Sequence, residues 1–277
     1  MNPVEQALWF IEHQFGSAIT LDDVADAGGI SRFHLCRAFG AATGRSVMRY
    51  VRGRRLTEAA KTLAAGAPDI LAVALDAGYG SHEAFTRAFR DQFGTTPERV
   101  REQRCVDTIP LVEAIRMDES LITTLEPPRF ETRQALLVAG LGSRYTFETN
   151  EGIPAQWQRF GPMIGHIPNQ VGGLTYGVCC NTDDAGNFDY ICGVEVSSFS
   201  GLPADLARAR IPEQRYVVFE HRSHISKIRA THHTIWAQWL PTSGHTVTDG
   251  PSFERYSEGF DPWTGTGLVE IWLPIKG

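Results

Sequence analysis

Two carboxylates interrupt apolar runs in the second half of the chain: Glu195 stands between Val194 and Val196, and Glu270 between Val269 and Ile271. Alternate residues of a strand share a face, so Glu270 and Trp272 of "VEIWLPIK" lie side by side. A carboxylate beside an indole attracts cations, and aromatic rings hold cations and flat apolar bodies. From alternation alone, each Glu can equally point to water from a sheet packed on one face. In the first half the candidate chemistry is cationic. "AGGISRFHLCRAFGAATG" (27–44) recurs as "AGYGSHEAFTRAFRDQFG" (77–94) without a gap, and Arg37 and Arg87 occupy equivalent places.

The elements that position those arginines are short helices. In "LDDVADA", Leu21, Val24 and Ala25 share a face, Gly28 and Gly29 end the helix, and Ser31 can cap the next. Leu35 and Phe39 then point inward and Arg32, Cys36 and Arg37 outward; in the later copy Ser81 caps, Phe85 and Phe89 are core, and Glu83, Arg87 and Arg90 point out. An arginine face held across a Gly turn is the geometry that reaches base edges in a major groove. One such pair is common in any all-α domain; two copies favour DNA. Ser46 to Ala65 reads as one connecting helix, with Val47, Tyr50, Val51 and Leu63 inward and Arg49, Arg52, Arg54, Arg55 and Lys61 mostly outward. Its span of about 30 Å approaches the ~34 Å between successive turns of the major groove, with the basic face near phosphates.

The 277 residues suffice for two domains, and 42% hydrophobic with 21% charged residues is ordinary for a soluble protein. The net charge of −6 divides unevenly: residues 1–105 carry 13 Lys and Arg against 12 Asp and Glu, the remainder 13 against 20. Any basic face is therefore local. Five cysteines without metal-ligand spacing fit a reducing compartment. The start, "MNPVEQALWFIEHQF", lacks the pattern of an export signal and no long apolar run occurs, so a cytoplasmic protein without membrane contact is expected. Vicinal Cys179 and Cys180 point to opposite strand faces, and His232 and His233 have no i+4 partner, so neither pair is assigned a metal. No cofactor-binding signature is present; phosphate loops and nucleophile elbows are missing.

Residues 2–104 resemble the DNA-binding domain of the AraC/XylS family of bacterial transcription regulators. The resemblance rests on the repeated "S…L.R.F….G", on "YVRGRRLTEAAKTL" and on "GYGSHEAFTRAFRDQFGTTPERVR". It implies base or groove contacts from Arg32, Phe33, Cys36 and Arg37 in the first recognition helix and from His82, Glu83, Thr86 and Arg87 in the second. It implies phosphate contacts from Arg45, Ser46, Arg90 and Thr96. Cys36 suits a thymine methyl better than a hydrogen bond, and Glu83 suits a cytosine amino group if it faces bases.

Beyond residue 126 the texture turns to β-branched and aromatic runs. Strand candidates 133–145, 173–181 and 188–199 flank a helix at 153–167, and 209–222, 252–260 and 268–276 flank a helix at 225–241. The expected fold is thus two-domain: an all-α tandem helix-turn-helix domain (1–106), a linker (107–126) and an α+β domain of duplicated β-α-β-β units (127–277). This last part resembles the GyrI-like effector-binding domain of multidrug-responsive regulators. The resemblance implies a cleft whose characteristic acidic residue is Glu270, with Glu195 as its counterpart and Trp157, Phe160, Tyr176, Trp236, Trp239, Tyr256 and Trp272 as candidate walls.

Together these features predict a regulator, not an enzyme, that binds double-stranded promoter DNA and a small lipophilic or cationic effector, with RNA polymerase as a further partner. The alternatives are a GyrI-like hydrolase of small electrophiles using Glu270 and Tyr256, or a drug-sequestering protein.

Overall fold

Side-chain caps divide the amino-terminal half into short helices. The computed structural model describes residues 2–115 and 122–276, and the first seven α-helices are α1 (Pro3–Gln14), α2 (Leu21–Gly28), α3 (Arg32–Thr43), α4 (Val47–Ala64), α5 (Ile70–Asp76), α6 (His82–Phe93) and α7 (Pro97–Gln103). Asn2 and Thr20 form capping boxes with Glu5 and Asp23, and Ser31, Asp69, Ser81 and Thr96 cap the helices that follow them. Gly44 and Gly94 end α3 and α6 at φ 69° and 68°, a left-handed conformation that favours glycine. The repeat is thus a repeat of caps, core positions and stops.

The two helix-turn-helix units pack into separate cores. Leu35 and Phe39 join α1, α2 and the start of α4, whereas Phe85, Phe89 and Phe93 pack on Leu56, Leu63 and Val100. α4 links them, as its apolar positions predicted, with one difference. Arg54 is buried instead of outward: its Nε and Nη2 donate to Glu12 at 3.0 Å and its Nη1 to the Val112 carbonyl at 2.9 Å. Sequence periodicity placed it at the margin of the polar face, and the chain crossing at Val112 buries that margin.

The second half forms one eight-stranded sheet with all neighbours antiparallel, in the order β1-β6-β8-β7-β3-β4-β2-β5. The strands are β1 (Arg129–Arg133), β2 (Leu136–Thr146), β3 (Gln170–Cys180), β4 (Asn187–Val196), β5 (Ala207–Ile211), β6 (Gln214–His221), β7 (Ser252–Tyr256) and β8 (Val269–Pro274). The predicted strand 209–222 is therefore two strands. Between β2 and β3 lies α8 (Ile153–Phe160); between β6 and β7, α9 (Ile228–Thr234) runs through a π-helical turn (Ile235–Trp239) into α10 (Leu240–Thr242). Ala209 and Ile211 of the edge strand β5 pack in one cluster with Val218 of β6 and Trp272 of β8, so the sheet curls upon that face. Both helical segments cover the other face, α8 over β4 and the π turn over β6 and β8. No helix among the described residues is long and apolar enough to cross a membrane.

Truncating Glu12 leaves the Arg54 guanidinium buried without its carboxylate. Glu12→Ala is expected to destabilise the amino-terminal domain by about 3 kcal/mol, the scale for breaking a largely buried ion pair, as measured by urea unfolding.

Candidate functional site

The helix expected to be the second recognition helix, α6, has an exposed polar face. Glu83, Arg87 and Arg90 of α6 are exposed, while Phe85 and Phe89 anchor it. Three residues differ in detail. His82 Nε2 lies 3.0 Å from Glu98 of α7, the Thr86 hydroxyl is shielded from solvent, and Thr96 accepts from the Arg99 N–H as the cap of α7. The Thr86 hydroxyl is therefore not part of the exposed polar face of α6.

The helix expected to be the first recognition helix, α3, is covered. Arg37 retains only 8% of its exposure, and its guanidinium points into the carboxyl-terminal domain: Nη2 donates to Ser252 Oγ at 2.5 Å, Nη1 to Cys179 Sγ at 3.2 Å and Thr182 Oγ1 at 3.4 Å. It also lies 5.6 Å from the Trp236 ring centroid. Cys36 is buried and Phe33 half-buried; Arg32 and Arg45 stay exposed, Arg32 between Asp22 and Asp184, each at 3.4 Å. Ser46 is buried and gives its backbone N–H to Glu148 at 2.9 Å. The expectation that Arg37 and Arg87 face one duplex together is corrected for this arrangement. Helical periodicity gave α3 its outward face, but contacts spanning 142 to 215 residues of sequence decided what covers it.

The predicted acidic pair lies on the curled face of the sheet. Glu270 is buried, with Arg129 Nη2 at 2.6 Å, Arg255 Nε at 2.5 Å and its neighbour Trp272 Nε1 at 3.1 Å. Burial pushes its carboxyl up, yet the Arg255 and Arg129 guanidiniums outweigh this and hold it below its ordinary 4.5. Arg129, Arg133 and Arg255 stand 4.9 to 5.6 Å from the Trp272 ring. Glu195 accepts from Tyr176 at 3.2 Å and faces Arg133 at 3.5 Å. The cations that the Glu270 and Trp272 pairing attracts are thus the chain's own arginines, and Tyr176 and Trp272 are core. Trp236 lies beneath α3, where it meets His34, and Trp239 packs on Phe219, so the two join the apolar cluster between α3 and the sheet.

On the helix-covered face a different carboxylate gathers the remaining candidates. Ser252, Glu254 and Tyr256 alternate along β7, and Glu254, its side chain 15% exposed, accepts from Tyr190 at 2.8 Å and Tyr256 at 2.9 Å. His232 Nε2 of α9 approaches its other oxygen at 3.1 Å. Trp157 of α8 donates its indole N–H to Tyr190 at 3.2 Å, lies 4.8 Å from the Tyr256 ring and contacts Phe160. Gly177 makes room: a Cβ there would come within 2.1 Å of the Tyr190 hydroxyl and 2.8 Å of Glu254. Burial pushes the Glu254 carboxyl up, but its bonds from His232, Tyr190 and Tyr256 prevail and keep it below the ordinary value. Both phenols are pushed well above theirs, chiefly by burial, and remain donors. An ionised carboxylate inside an aromatic wall can hold a flat or lipophilic cation, which would compete with His232.

Sequence reasoning missed Glu254, Tyr190 and His232. The alternation that singled out Glu270 with Trp272 applies equally to Glu254 with Tyr256; alternation does not say which face the helices cover.

Fold and site define a two-domain protein in which a tandem helix-turn-helix body meets a sheet domain with an aromatic carboxylate site. The chain matches the GyrI-like small molecule binding domain over residues 126–276 and a helix-turn-helix domain over residues 24–103. It is similar to the transcriptional regulator Rob of Salmonella typhimurium, 25% identical over 99% of this chain and 98% of that one. The transcriptional regulator BrlR of Pseudomonas aeruginosa is 27% identical over 70% of this chain and 77% of its own. Among solved structures, SAV2435 bound to tetraphenylphosphonium is 23% identical, with 55% of this chain and 95% of that one covered and a TM-score of 0.46. The chain belongs to the GyrI-like family and joins that small-molecule-binding domain to an AraC-type helix-turn-helix domain, as a DNA-binding transcriptional regulator.

Because the Glu270 pKa is depressed, its ionisation stabilises the fold above the unfolded value and that contribution is lost as pH falls through the folded one. Glu270→Gln is therefore expected to unfold at lower urea than the wild type at pH 7, with the gap narrowing as pH falls below 4.5, the carboxyl's ordinary value.

Proposed function

We propose that the protein binds an asymmetric promoter element through α6 and, when its face is free, α3, and that the Glu254 site receives a small lipophilic cation that alters this binding. Glu254 carries the effector reading: it is an ionised carboxylate enclosed by Tyr190, Tyr256 and Trp157 and packed closely against Gly177. Phe160 backs Trp157. In this reading β2-α8-β3-β4 and β6-α9-β7-β8 are two copies of one unit, with the effector between their helices. Arg87 and Arg90 carry the DNA reading, together with similarity to a transcriptional regulator over nearly the whole chain. Phosphate neutralisation by these arginines makes binding fall with salt. The site of action is the cytoplasm, and RNA polymerase is the further partner.

Duplexes selected by the full chain from a random pool test the DNA arm. Arg87→Ala is expected to weaken binding of the selected duplex on the order of tenfold and to relax preference at one position, as loss of one base contact does. An unchanged affinity and footprint would contradict the reading. For the effector arm, Glu254→Gln is expected to weaken binding of tetraphenylphosphonium, measured by calorimetry, by at least about tenfold through loss of the buried counter-charge. Glu270→Gln, on the opposite face, should bind it like the wild type; the reverse outcome would move the site to Glu270.

A further inference from the structure

We propose that the effector domain is an intramolecular competitor of DNA, which masks the first recognition helix and leaves the second exposed. The inference rests on the functional reading above and adds the device that regulates it.

The mask offers α3 and the start of α4 the same chemistry that a duplex would offer. Arg32 faces the Asp184 carboxylate, and the Arg37 guanidinium is satisfied by hydroxyl and thiol groups of β3, β7 and Thr182. α4 is the 18-residue helix whose Ser46 supplies no side-chain cap. Its leading N–H instead donates to Glu148 Oε1 at 2.9 Å, while Arg49 lies 3.6 Å from Oε2. A helix N-terminus with an adjacent arginine is a ready anion site, so Glu148 stands where a phosphate oxygen would bind.

The surfaces fit closely. Gly40 in the interior of α3 lies against the Phe147 ring, and a Cβ at position 40 would come within 2.4 Å of it. Leu35, Cys36 and Phe39 share one apolar cluster with Val217, Trp236 and Leu273. A glycine weakens a helix interior by about 1 kcal/mol relative to alanine, so its presence here favours contact over local helix stability.

The mask is also joined to the effector site. Ser252, which holds Arg37, is two residues from Glu254 on the same face of β7, a rise of about 7 Å. α9, which presents His232 to Glu254, continues into the π turn whose Trp236 packs on His34 and Arg37. A cation that displaces His232 therefore acts on the strand and the helix that hold α3 closed. Pre-existing closed and open forms, unequally able to bind DNA, suffice for the switch.

The test compares four full-length proteins on the duplex selected from the random pool: wild type, Glu148→Gln with Asp184→Asn, Gly40→Ala, and Arg87→Ala. The first two variants remove the phosphate-like charges or wedge the contact, and each is expected to bind about tenfold tighter, as when a form populated at roughly one tenth becomes dominant. Their footprints should lengthen from one half-site to two, and their radius of gyration by X-ray scattering should rise. Should Gly40→Ala not fold, the double substitution in the effector domain decides. Wild-type affinity, footprint and radius in that double variant, with Arg87→Ala still impaired, would overturn the mask and leave the DNA reading standing. Equal binding of selected and unrelated duplexes by wild type and Arg87→Ala would instead remove the DNA reading and the mask with it.

Discussion

A guanidinium withdrawn from water needs hydrogen-bond acceptors, and the contacts of Arg37 with Ser252, Thr182 and Cys179 meet that requirement from the other domain. Arg37 thus ties α3 to β3 and β7. Around it the apolar parts of α3 join a cluster that continues into β6 and β8, so charge satisfaction and apolar burial favour the same arrangement. The polar terms are open to competition, because phosphates and base edges satisfy arginines as well as hydroxyls do.

The same constraint separates the two buried carboxylates of the sheet domain. Glu270 is compensated by Arg129 and Arg255, which never lose their charge and whose guanidiniums lie over the Trp272 ring. That arrangement is a clamp. Glu254 is held by two phenols and an imidazole at the seam between β7 and α9. The two carboxylates thus differ in the chemistry of their partners, guanidiniums on the curled face and phenols with an imidazole on the helix-covered face.

Much of the amino-terminal body was legible in the chain because its signals are local. Ser31 and Ser81 cap, Gly44 and Gly94 stop, and phenylalanines at helical spacing set the core. The sheet domain was legible as an order of elements but not as a pair of faces. "SFERY" and "VEIWLPIK" both alternate, and the choice between Glu254 and Glu270 depends on where α8 and α9 lie. His232, set aside for want of a metal partner in its own helix, found its partner 22 residues away.

By itself, then, the sequence determined the caps and stops of α3 and α6, the repeated helix-turn-helix pattern, the outward arginines of α6 and the change from helical to strand texture near residue 127, since these depend on neighbours within a few residues; the helix expected over 153–167 instead ends at Phe160. Only the tertiary structure decided that α3 is covered, that Arg54 is buried, that Glu270 is internally paired and that Glu254 lies among aromatic rings. Each of those outcomes depends on groups brought together from distant parts of the chain, and periodicity marks a face without saying what will meet it.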